Sequence, residues 1–224
     1  AKVGLAASEL RRLLQERGDG DSGGEPPTLE GWLDLLLPAA QGKKRPWVLL
    51  VSQMLGLAAP FEGRSDVRSR EVAAHAKVTR QRVSQVLGEA EEHWRKQAAL
   101  PVLRILGLEI LDELGGIAPI EQAADALANR LIHGAATDAQ VRSQAAALWL
   151  ILARVSAGDE QESSSIYTIR HHERPWIARS SAHVAILREL GEVADLLAER
   201  QPLAASGEVE LALREAVKDT PLAG

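Results

Sequence analysis

Arg80, Gln81, Arg82, Ser84 and Gln85 stand almost side by side, directly after Thr79. Guanidinium, amide and hydroxyl groups at that density are the side chains that read base edges and hold phosphates of duplex DNA. Arg68, Arg70 and Lys77 lie just upstream, and between Arg64 and Arg82 six cations stand against two acids, Asp66 and Glu71. Glu89, Glu91 and Glu92 follow at once, so the basic patch is short. The whole chain carries a net charge of −5, so DNA contact must come from this patch rather than from bulk electrostatics.

A second group with chemical potential is Arg170, His171, His172 and Arg174. Two adjacent histidines without acids at ligand spacing do not suggest a metal centre, and cationic side chains here fit backbone phosphates or simple solvation. Asp19 and Asp21 lack the spacing to a closing Glu that a calcium loop needs, and Pro26 and Pro27 follow. No Gly-rich phosphate loop, Gly-x-Ser-x-Gly or His-Glu-x-x-His occurs, and the carboxylates read as solvated helix surface. The sequence therefore gives no catalytic constellation, no cofactor and no metal, and the segment reads as non-enzymatic.

The elements that must present Arg80 to Gln85 are two helices crossing over a short turn. Ser69 to Val86 carries that pattern: Val72, Ala76, Val78, Val83 and Val86 supply the apolar contact, and Ala73 is small where the second helix passes closest. Thr79 caps the second helix and leaves the basic and amide side chains on the face away from the valines. The turn position usually held by glycine is Lys77, a left-handed placement costing on the order of 1 kcal/mol. A helix from Pro46 to Gly56, with Val48, Leu49, Val51 and Leu55, precedes this pair and makes a three-helix unit. The alternative is a helix pair kept for packing or protein binding.

Composition supports a helical frame. The 224 residues are 46% hydrophobic but only 3% aromatic, so alanine and leucine must fill the core, which favours close-packed helices over sheets. Ser8 to Arg17 reads as a short helix and Gly18 to Gly24 as a flexible linker; Thr28 caps a helix with Leu29, Trp32, Leu33, Leu36 and Leu37, before a basic turn at Lys43-Lys44-Arg45. Further helices are expected at Leu100 to Leu114, Ile120 to Leu131 with Pro119 in its first turn, Asp138 to Ser156, Ala182 to Arg200 and Glu208 to Val217. Gly158 to Ser164 is polar and loose.

Ser165 to Ala178 is the one strand signal, a β-hairpin with Arg170, His171, His172 and Arg174 at its tip. Three helices followed by a hairpin is the order of a winged helix, whose wing touches a phosphate backbone or a minor groove. The fold class is thus mainly all-α, a helix-turn-helix unit followed by a winged-helix-like unit with one β-hairpin. Four segments follow: 1–27, an N-terminal helix and linker; 28–98, the helix-turn-helix domain; 99–202, the winged-helix-like domain; 203–224, a C-terminal helix and tail. The absence of cysteine removes disulfides, Cys-based zinc sites and thiol catalysis and fits a reducing cytosol, and no long apolar run suggests a membrane span. A cytoplasmic chain whose partner is double-stranded DNA is expected.

Val72-Ala73 followed by Val78-Thr79-Arg80-Gln81-Arg82-Val83-Ser84-Gln85 resembles the core of sigma-factor region 4. A longer likeness takes in Leu55-Gly56-Leu57, Ala90 to Trp94, Leu114-Gly115-Gly116, the hairpin, and Ala194-Asp195-Leu196-Leu197-Ala198 before Pro202-Leu203. From about Thr28 onward the chain resembles the C-terminal, non-kinase region of the PglW family, the serine/threonine kinases of phage growth limitation and type 2 BREX phage-defence systems. The resemblance implies a regulatory segment of a phage-defence protein whose kinase lies elsewhere, since the Gly-rich loop and His-Arg-Asp triplet of a kinase are absent. It also implies other partners, namely the parent kinase domain or further defence-system proteins.

Overall fold

Thr28 begins the described structure as a helix cap: its Oγ1 accepts from Gly31 N at 3.2 Å and starts α1 (Leu29–Leu36), which buries Leu29, Trp32, Leu33 and Leu36. The computed structural model describes residues 28–37, 46–131, 138–157, 165–171, 173–200 and 206–218. The expected helix at Ser8 to Arg17, the linker after it, the basic turn at Lys43 to Arg45, the Gly158 to Ser164 stretch and His172 lie outside these residues.

Helices α2 (Pro46–Met54), α3 (Ser69–Ala76) and α4 (Arg80–Arg95) form the three-helix unit. The loop joining α2 to α3 needs Gly56, at φ 70, because a Cβ there would sit 1.9 Å from the carbonyl oxygen of Arg64. Then come α5 (Leu100–Glu113), β1 (Ile117–Pro119), α6 (Ile120–Leu131), α7 (Ala139–Ser156) and the hairpin β2 (Tyr167–His171) and β3 (Arg174–Ala178). Two further helices, α8 (Ser181–Arg200) and α9 (Ser206–Val217), pack against each other at the C-terminal end. The described residues are mostly helical with one small antiparallel sheet, of strand order β1-β3-β2.

The sheet corrects one expectation. Ile117 to Pro119 is a strand, paired so that Pro119 opposes Trp176, and Pro119 ends that strand instead of entering the first turn of α6. A strand at the sheet edge tolerates a residue without an N–H. With β1 in place, residues 100–178 run helix, strand, helix, helix, hairpin, the full order of a winged helix.

One continuous core crosses residues 98–99, running from Leu29 through Trp94 and Trp149 to Ile177. Helix α7 is its axis: apart from the half-buried Leu150 and Arg154, every residue from Ala145 to Ser156 is buried. It touches α1, α4, α5, α6 and β2. Gly107 lets α5 come so close that a Cβ there would lie 3.1 Å from Leu152 and 3.2 Å from Trp149. In α4, Trp94 is fully buried and donates from Nε1 to the Leu36 carbonyl at 2.8 Å, tying it to α1. Removing such a buried tryptophan costs roughly 3–5 kcal/mol, whereas a half-buried surface pair such as Arg154 with Glu91 is worth on the order of 1 kcal/mol. The core, not the surface ion pairs, joins the two units.

Candidate nucleic-acid interface

The turn between α3 and α4 is built by hydrogen bonds that a glycine would make more cheaply. Lys77 adopts φ 55 and ψ 40; its N–H reaches the Ala74 carbonyl at 3.4 Å, and the Val78 N–H reaches Ala73 at 3.0 Å. That is a Schellman arrangement, which satisfies the last carbonyls of α3. Thr79 then caps α4, its Oγ1 accepting from Arg82 N at 3.1 Å. Val72, Ala73 and Val83 are buried where the two helices meet, as the sequence pattern requires.

With the valines inward, Arg80, Gln81, Arg82, Ser84 and Gln85 are all exposed along the first turns of α4, beside the exposed Lys77 and Thr79. Arg70, in the first turn of α3, is exposed as well. Among the described residues Arg70, Lys77 and Arg80 have no ion-pair partner, whereas Arg82 lies 3.7 Å from Glu89. Lys77 and Arg80 thus stand unneutralised at the turn, and Arg70 at the far end of α3.

Not every cation of the patch belongs to that surface. Arg64 is engaged by its own acidic neighbours, its Nε 3.0 Å from Asp66 and its Nη1 3.1 Å from Glu71. Arg64 holds the Asp66 carboxyl below the usual range, and the Arg68 N–H, donated at 2.8 Å, does the same for Glu71 with help from Arg64. These two carboxylates raise the guanidinium pKa further, with Asp66 contributing most. Arg64 is therefore a brace for the start of α3. Arg68 is half-buried and pairs with Glu173 of the hairpin turn.

The hairpin lies against this unit although it belongs to the other one in sequence. Arg170 donates to the main-chain carbonyl of Asp66, and Glu173 reaches Arg68. His171 is half-buried, with its ring edge-on to Trp176 at 6.5 Å and against Gly191 of α8. Of the four side chains expected at the tip, Arg170 and His171 are engaged within the protein and His172 lies outside the described residues. Arg174 is exposed and has no ion-pair partner among the described residues. Neither Arg64 as a brace nor Glu173 as a contact was visible in the sequence, because both depend on neighbours brought together by the fold.

No family model, curated protein or solved structure matches this chain. Among the described residues no group of three or more His, Asp or Glu could hold a metal ion, and no helix is long and apolar enough to cross a membrane.

Helix α7 occupies the position of the third helix in its winged-helix order, the one such units commonly place in a groove. Here α1 and α4 pack against it, and the exposed basic and amide side chains lie on the first turns of α4 instead.

Proposed function

We propose that the chain is a module that binds double-stranded DNA, with the start of α4 entering a major groove. The observation that carries this reading is the exposure of Arg80, Gln81, Arg82, Ser84 and Gln85 on the second helix of a helix-turn-helix, with Arg70 and Lys77 on the first helix and the turn exposed and without an ion-pair partner among the described residues. Arg80, Gln81 and Ser84 face base edges, while Arg68, Arg70, Lys77 and Arg82 hold phosphates. Thr79 and Gln85 border the same surface, and Arg174 of the hairpin adds a backbone contact beside it. The resemblance to the PglW family extends the proposal: a non-enzymatic, DNA-binding regulatory segment of a bacterial phage-defence protein.

The test replaces Arg80 and Arg82 together by Ala and measures duplex binding and the melting temperature on the full chain. Both side chains are exposed, so binding should weaken by at least about tenfold while the melting temperature stays nearly constant. Equal affinity of variant and parent would remove α4 from the interface.

A second reading, a protein-interaction module docking the parent kinase domain or other defence proteins, draws on Leu196 and Leu211. Their side chains are 49% and 69% exposed on the C-terminal helix pair. Partner capture that survives Arg80→Glu with Arg82→Glu, in a chain that binds no DNA, would favour it.

A further inference from the structure

We propose that Glu173 competes with DNA phosphate for Arg68, so that the hairpin turn restrains the affinity of the module for any duplex. The inference rests on the DNA-binding reading and adds to it a residue that sets overall affinity.

Glu173 sits in the turn between β2 and β3 with φ 64, a conformation that favours Gly, Asn or Asp in a tight hairpin. Its side chain is 80% exposed, so no burial holds it there, and its carboxylate reaches Arg68, itself 35% exposed. The turn is held over the start of α3 by an independent contact, Arg170 to the Asp66 carbonyl, so Glu173 is not needed to dock the hairpin. Arg68 is otherwise a phosphate-holding candidate on the edge of the surface that carries Arg70 and Lys77.

A carboxylate and a phosphate offer the guanidinium fork the same pair of anionic acceptors. An exposed ion pair is weakly held, so a phosphate placed by the other contacts can displace it. The cost of displacement falls equally on every sequence, so it lowers specific and non-specific binding by the same factor and leaves the discrimination of the α4 base contacts unchanged. The acid at the turn thereby sets the overall affinity of the module without altering which sequence it prefers.

The experiment measures anisotropy of a fluorescent random-sequence duplex with the full chain over a range of salt. It compares the parent with Glu173→Gln, Arg68→Gln and the double variant. Glu113→Gln, an exposed acid of α5 paired with Arg130, controls for total charge. Glu173→Gln should tighten binding about two- to tenfold at low salt and steepen the salt dependence by about one phosphate contact. Glu113→Gln should change little, and the gain should vanish when Arg68 is Gln.

An equal gain from Glu113→Gln, or a gain that persists without Arg68, would overturn the competition. Parent binding with no gain in Glu173→Gln overturns the competition alone. Absence of binding by the parent and all variants at low salt overturns the DNA reading beneath it. Binding by Glu173→Gln where the parent shows none would be the strongest support.

Discussion

Lys77 carries two roles that pull in opposite directions. Its left-handed backbone is a placement that costs a non-glycine residue roughly 1–2 kcal/mol, part of which a glycine would give back by ordering a freer unfolded chain. Lys77→Gly should therefore stabilise the protein modestly, by about 0.5 kcal/mol, and weaken DNA binding through the lost cation. Thermal unfolding and anisotropy on one preparation check both; a destabilised variant would contradict the backbone argument. His183 offers a residue-scale test at another place. Burial against Gly116, then the charge of Arg179, lowers its pKa from the usual value near 6.5, while Ser180 Oγ lies 2.7 Å from its Nδ1. The folded state thus binds this proton less readily than the unfolded state. Its contribution is complete above about pH 6.5 and is lost as pH falls toward the depressed value. Asp66 and Glu71, both lowered, lose theirs only in the acid range below their ordinary values near 4. Melting temperature should fall as the pH drops below about 6.5, and His183→Gln should flatten that part of the profile. An unchanged slope would mean that His183 is not held neutral.

At the scale of elements, the crossing of α3 and α4 is the structure that presents the site. Ala73 is 5% exposed, and Ala73→Leu should overpack the crossing and cost roughly 1–3 kcal/mol, measurable by denaturant titration. Full tolerance would mean that the helices do not meet there. These elements were legible in the sequence for local reasons: valines at helical spacing, a threonine at the cap and a small residue at the crossing all lie within one short stretch. The hairpin was legible from its alternating β-branched and aromatic residues. Strand β1 was not, because three residues after Gly115-Gly116 give no periodicity and Pro119 reads more naturally as a helix start. Nor was the contact of Glu173 with Arg68, which joins positions 105 residues apart and leaves no local pattern. The exposed face of α4 could be named in advance, but the pairing of Arg68 could not, because Glu173 arrives from elsewhere in the chain.

For the whole molecule, the division at residues 98–99 falls between helices that share one core, with Trp94 on one side and Trp149 on the other. Equilibrium unfolding followed by tryptophan fluorescence and by far-ultraviolet circular dichroism should therefore give a single coincident transition. Two separated transitions would show that the units fold independently. The same arrangement bears on the proposed function, since α1 and α4 pack against the third helix of the winged-helix order while Arg80, Gln81, Arg82, Ser84 and Gln85 stay exposed on the first turns of α4. The most direct test is binding of the full chain to random-sequence duplex DNA, by fluorescence anisotropy at about 50 mM and at physiological salt. Four to five phosphate contacts, from Arg70, Lys77, Arg82, Arg174 and in part Arg68, predict a Kd on the order of micromolar at low salt. They also predict a logarithmic salt slope of about −4. No binding at low salt, by the parent and by Glu173→Gln alike, would contradict the central claim and leave the protein-docking reading in its place.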